Sequence, residues 1–232
     1  LYVISADFAV KGTVLSVRSE ATSAALPIPE ATVIAAVNEQ DTFTYEDDQV
    51  FVKAVLTDPT AVPAGVQFKV TPVTPESTDY AYDAYMDALN KSTNEEGKEY
   101  TPQNTLLYDV AFLKPKTDDK GNVIPNEWVE VQLDKGQVNI EFNFKQQQLS
   151  DGNSAEESTD VEINHLPLKD SVRGEVDTTA DAKDISANDV IVEEPKESDA
   201  NVDAGQMSVT LDSLSIITVT IKSTASNPSS ST

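Results

Sequence analysis

In residues 50–56, Val50, Val52, Ala54 and Leu56 take every second position, with Phe51, Lys53 and Val55 between them. Successive side chains of an extended chain point to opposite faces, so this run is a strand with one wholly apolar face, which a second layer has to cover. Asp58-Pro59 and Val62-Pro63-Ala64-Gly65 then turn the chain into a further strand at 66–72. Similar runs bounded by turn residues mark strands at 9–17, 31–37, 106–113, 127–133, 137–144, 160–166, 189–193, 207–211 and 215–222. So many short strands predict a mainly β chain folded as an antiparallel β-sandwich. Asp118-Asp119-Lys120-Gly121-Asn122 and Asp134-Lys135-Gly136 put a glycine where a tight turn needs positive φ, and both read as hairpin turns.

One segment changes period. After the capping residues Ser77, Thr78 and Asp79, the apolar side chains Tyr82, Tyr85, Met86 and Leu89 recur at helical spacing. This predicts one short helix near 78–91 that caps an open end of the sandwich and lays its stripe on the core.

The charge narrows the partners. Sixteen Lys and Arg stand against 40 Asp and Glu, a formal charge of −24, so nucleic-acid phosphates and anionic lipid surfaces are repelled. Residues 151–203 hold 16 of the acids and four basic residues, Lys169, Arg173, Lys183 and Lys196. Most of this stretch reads as long, solvated acidic loop, anchored at 161–168, at 190–192 and by a helical turn near 169–172. No cysteine is present, which excludes disulfides, thiolate catalysis and Cys-type zinc sites. No apolar run is long enough to insert in a membrane. The start, Leu1-Tyr2-Val3-Ile4-Ser5, has no initiator Met or basic signal region, and 223–232 is small and polar like a linker. The expectation is a piece of a larger exported protein in three parts: an N-terminal hairpin or extension at 1–40, the sandwich at 41–222 and a Ser/Thr/Pro linker at 223–232.

Specific chemistry is sparse. His165, the only histidine, sits at a strand end without a Gly-x-Ser-x-Gly elbow or a His-Glu-x-x-His helix, and reads as a hydrogen-bonded structural residue. Carboxylate pairs such as Asp47 with Asp48 and Glu156 with Glu157 carry little information among 40 acids. Trp128, the only tryptophan, reads as edge-strand packing, with a sugar platform as the alternative if it is exposed beside Asn126 and Glu127. Calcium is the one ion that the oxygen clusters at 118–122 and at Asp151-Gly152-Asn153 with Glu156 and Glu157 suggest, although neither has EF-hand spacing and solvated acidic loop is the plainer reading. No other cofactor is expected. Asn90-Lys91-Ser92 matches a glycosylation acceptor.

The segments 50–57, 61–75, 82–90, 104–112, 161–170 with His165-Leu166-Pro167-Leu168, and 211–215 together resemble a recurrent module of clostridial cell-wall-anchored surface adhesins. That module occurs beside Cna-B and pilin-like repeats and is similar in outline to ZU5-like sandwiches. Gly12-Thr13-Val14 with 27–33 is similar to the first hairpin of Cna-B or carboxypeptidase-regulatory-like domains. The resemblance implies an Ig-like or ZU5-like sandwich, no catalytic activity, and an extracellular place on a Gram-positive cell wall or in secretion. It also implies a role in adhesion or as a stalk, with a host glycoprotein, a glycan or neighbouring domains as partners. Because its pilin-like neighbours carry Lys-to-Asp or Lys-to-Asn amide crosslinks, Lys53 and Asp109, each in an apolar strand, form the candidate pair. The alternatives are an accessory domain that positions substrate for a secreted glycosidase or protease, and a spacer without a ligand.

Overall fold

Val50, Val52, Ala54 and Leu56 are all buried, and they do form the apolar face of one strand, β2 (Val50–Leu56). In the computed structural model, which describes residues 37–92, 99–133, 136–145, 159–201 and 205–223, β2 lies inside a five-stranded antiparallel sheet. Its neighbours are β1 (Thr42–Glu46) and β6 (Val138–Phe144), and beyond β6 come β9 (Gln206–Leu211) and β8 (Glu197–Asn201). The register sets Val52 opposite Phe142 and Ala54 opposite Ile140, so the apolar faces of β2 and β6 coincide.

The second sheet runs β3 (Gln67–Val73), β4 (Thr105–Thr117), β10 (Ile216–Ser223) and β7 (Thr159–Leu166). β5 (Val123–Glu130) pairs with the far end of β4. Tyr108, Val110 and Phe112 of β4 and Ile217, Val219 and Ile221 of β10 meet the first sheet in a common core. Phe112 packs edge-on to Phe43 at 4.9 Å between ring centres, a favoured aromatic arrangement. The fold is thus mainly β, two antiparallel sheets packed as a sandwich, as the alternation predicts.

The second sheet is covered on its other face too. Leu107 of β4, Ile216 of β10, Leu166 of β7 and Val73 of β3 form a separate cluster with Tyr82, Tyr85, Met86 and Leu89 of α1 (Tyr82–Ser92), and with Leu168, Ala182 and Val190. The helix therefore lies on the outer face of a sheet instead of capping an open end. It also starts later than its capping residues suggest, because the Ser77 hydroxyl accepts from the Thr74 amide in a preceding turn. Burial on both faces explains why β10 is buried at every position from Ile216 to Ile221 and does not alternate.

Several expectations change in space. The turn at 118–122 does join a hairpin, β4 to β5, with Gly121 at φ +82°. The stretch around Gly136 instead carries the chain from one sheet to the other, since β6 pairs with β2 and β9 and not with β5. Residues 189–193 make isolated bridges, Leu168 with Val190 and His165 with Glu193, and no strand. β1 and β8 were not marked by any period. The strand at 9–17, all of 31–37 except Val37, the Cna-B-like hairpin, the linker at 224–232 and the oxygen cluster at 151–157 lie outside the described residues. Among the described residues no helix is long and apolar enough to cross a membrane.

Candidate functional site

β4 is long enough to carry β10 along its first half and β5 along its last turn of pairing, with β3 on its other edge. Near β5 the register slips: Pro115 faces Trp128, but Thr117 already faces Val123, so β5 bulges opposite Lys116. Asn126 sits in the bulge at φ +63°, a left-handed conformation that Asn tolerates better than most residues. Bulges re-aim side chains, and here Asn126, Glu127 and Trp128 come to line one wall of a cleft of about 400 Å³. Lys69, Tyr80 and Asp109 line it from the sheet and its approach, and Asp177, Thr178 and Asp181 close it from the opposite side.

The acidic composition of that closing segment suggests solvated loop, yet Thr179 and Ala182 are buried. Glu130, at the end of β5, holds it in place. Its Oε1 accepts from the Thr179 amide and from Thr179 Oγ1 at 2.7 Å, and its Oε2 accepts from Arg173 Nη2 at 2.7 Å. Arg173 ends the short helix α2 (Asp170–Arg173), the helical turn that the sequence suggests near 169–172. The Glu130 side chain is only 7% exposed, so both its oxygens have structural work. Around the rim, Lys116 bridges Glu127 and Asp177, and Asp181 accepts from the amide and hydroxyl of Thr178 in a capping box.

Asp109 is different. It is 7% exposed, its Oδ2 accepts from the Tyr80 hydroxyl at 2.7 Å, and its Oδ1 has no partner among the described residues. Burial, reinforced by the Glu130 charge, pushes its carboxyl up to about 7, against the pull of Tyr80, Lys69 and Arg173. Near neutrality it is therefore shared between acid and carboxylate. Burial and the same Asp109 push the Tyr80 hydroxyl up, which keeps it a donor.

Lys53 and Asp109 are not brought together. Lys53 is on the outward face of β2 in the first sheet, paired with Glu141 at 3.4 Å, while Asp109 is on the outer face of the second. The lysine that shares a face with Asp109 is Lys69, which stands opposite Ala111 while Thr71 stands opposite Asp109.

His165 has richer surroundings than its sequence context suggests. Its Nε2 lies 2.8 Å from Ser215 Oγ and its Nδ1 3.4 Å from Glu193 Oε2. The connectivity is that of a Ser-His-Glu triad, but Ser215 is fully buried, His165 is 3% exposed, and neither lines the cleft. Burial lowers the affinity of the imidazole for a proton despite Glu193. The trio joins the end of β7 to the bridge at Glu193.

The remaining candidates serve the local backbone. Asp118 Oδ1 accepts from the amides of Lys120 and Asn122, and its Oδ2 accepts from Asn122 Nδ2, so the oxygens at 118–122 close their own turn. Asp47 similarly accepts from the amides of Gln49 and Val50. Asn90 exchanges two hydrogen bonds with the backbone of Tyr100. Among the described residues no group of three or more His, Asp or Glu is placed to hold a metal ion.

Sequence reasoning passed over Lys69, Tyr80, Glu130 and the segment at 177–181. Two signals in the sequence fall on this cleft: the Asp inside the apolar run of β4, and Trp128 beside Asn126 and Glu127. No protein-family model, curated protein or solved structure matches the chain.

Proposed function

We propose that this chain is a non-catalytic, extracellular binding module of a bacterial cell-surface protein, and that it holds a host glycan or glycoprotein in the cleft between Trp128 and Asp109. The observation that carries the reading is the cleft itself: a concave site on the outer face of the second sheet, with the chain's only tryptophan on its wall and a buried carboxyl oxygen without a partner among the described residues. Its volume falls within the range of small-ligand sites, roughly 300–1,000 Å³. Trp128 is half-buried beside Asn126 and Glu127, so it packs on the edge strand and still offers part of its ring to the cleft, which a sugar platform requires. The likeness to clostridial surface modules, the charge of −24 and the absence of cysteine agree with a place outside the cell.

Binding is favoured over catalysis by the state of the carboxylates. Glycoside hydrolysis needs two carboxyls free to act on one bond, and the partner nearest in charge to Asp109 is Glu130, whose oxygens both hold the closing segment. Purified chain applied to a glycan array, mucin and serum proteins tests the proposal. Binding that Trp128→Ala abolishes supports it. Silence on all three overturns it in favour of a spacer.

A further inference from the structure

The cleft is unbalanced in charge. Lys69 is the only basic residue lining it among the described residues, against Asp109, Glu127, Glu130, Asp177 and Asp181. Lys116 and Arg173 neutralise part of this from outside, through Glu127, Asp177 and Glu130. Asp109 lines the cleft, and its Oδ1 is buried without a hydrogen-bond partner among the described residues. A buried acceptor left open costs free energy, so such atoms are kept where something completes them. An anion would be repelled here, and a purely apolar group would leave the oxygen open. A cation also suits the aromatic wall of Trp128 and Tyr80, whose ring faces attract positive charge. No cluster of three acids or His is placed for a bare metal ion among the described residues. A cation that brings its own hydrogen-bond donors fits best.

Resting on the reading of this cleft as the binding site, we infer that it recognises a primary ammonium group of the ligand, with Asp109 as hydrogen-bonded counter-ion and Trp128 as the aromatic wall. Two sources carry that group: an unacetylated amino sugar and a lysine side chain of a protein. Lys69 lines the same cleft, so its like charge opposes the ligand's ammonium and lowers its affinity.

Trp128 is the only tryptophan, so its emission reports on the cleft without a label. The whole chain is titrated with D-glucosamine and N-acetyl-D-glucosamine, and with Nα-acetyl-lysine methylamide and its Nε-acetylated form. The expected result is a saturable change with at least one amine, its acetylated counterpart binding roughly tenfold weaker or worse, as for a lost hydrogen bond to a charged group. Which pair responds identifies the source. Asp109→Asn is expected to weaken the amine roughly tenfold or more, and Lys69→Met to strengthen it about threefold by removing a like charge. Equal binding of amine and acetylated probe, or weaker amine binding in Lys69→Met, overturns the inference. If only N-acetylglucosamine binds, the cleft remains a glycan site and the ammonium is wrong. If no probe changes the emission while Trp128→Ala still binds mucin or the array, the assignment of the cleft falls with it.

Discussion

The two faces of β4 are built on different terms. Its inner face offers Tyr108, Val110 and Phe112 to the other sheet, in a core of rings and branched aliphatics. Its outer face carries Leu107 and Asp109 under α1 and the segment at 168–190. The buried side-chain atoms without a partner among the described residues are Tyr85 Oη of α1, Asp109 Oδ1 of β4 and Thr218 Oγ1 of β10, and Thr218 stands directly opposite Leu107. All belong to the outer layer. The inner layer gains stability from area and close contact, while the outer one keeps polar atoms open at a cost, and one of them, on Asp109, belongs to the cleft lining.

Truncation of the inner layer carries the largest effect. Phe112→Ala, which removes a ring packed against Phe43 and Phe68, is expected to cost about 3–5 kcal/mol in chemical denaturation. An effect no larger than that of outer-layer changes would show that the two layers do not differ in this way.

The next largest is a pH effect from the outer layer. Asp109 has a folded pKa of about 7, above its ordinary value of 3.8. The folded state then binds its proton more tightly than the unfolded one, and its contribution is fully present below about pH 4 and lost as pH rises through 7. The difference amounts to roughly 3–4 kcal/mol. Denaturation of wild type and Asp109→Asn across pH 4–8 isolates it, and parallel curves would refute it. His165 slopes the other way: burial keeps it neutral when folded, so its contribution falls as pH drops below its unfolded value of about 6.5.

Glu130→Ala leaves Arg173 and the Thr179 amide without their acceptor. It is expected to cost about 2 kcal/mol, as for lost hydrogen bonds to a charged group, and to speed amide exchange and proteolysis first at 177–182, ahead of global unfolding. Uniform exchange would place the closing segment in the same cooperative unit as the inner core.

The smallest change has the opposite sign. Tyr85→Phe removes an open, buried hydroxyl and is expected to stabilise the chain by about 1 kcal/mol, read as a raised denaturation midpoint. Loss of stability instead would mean that the hydroxyl has a partner in solution.

How legible this was depended on the layer. β2 and β6 could be read because one face of each is covered and the other is not, so their residues alternate. β1 and β8 could not: Glu-Ser-Asp-Ala-Asn is exposed at every position, and it is a strand only because β9 offers it a ladder of backbone groups. The helix was legible from its stripe, but the layer it covers was not, since a helical stripe fits any apolar surface. In the site, Asp109 stands out as a carboxylate in an apolar run, but nothing along the chain tells which lysine shares its face. Lys53 and Lys69 look alike along the chain, each alone in an apolar strand, and only strand register separates them.

The order of side chains by itself determined that this chain builds β layers, which face of each regular strand is apolar, where the hairpin at 118–122 turns, and that one short helix interrupts the series. Those are local matters of period and turn chemistry. Tertiary structure alone decided that the chain crosses between sheets near Gly136, that the second sheet is buried on both faces, and that Lys69, Tyr80, Trp128 and the segment at 177–181 gather around Asp109. Strand pairing joins residues far apart in sequence through backbone groups that every residue carries alike, so no local pattern records which strands will meet.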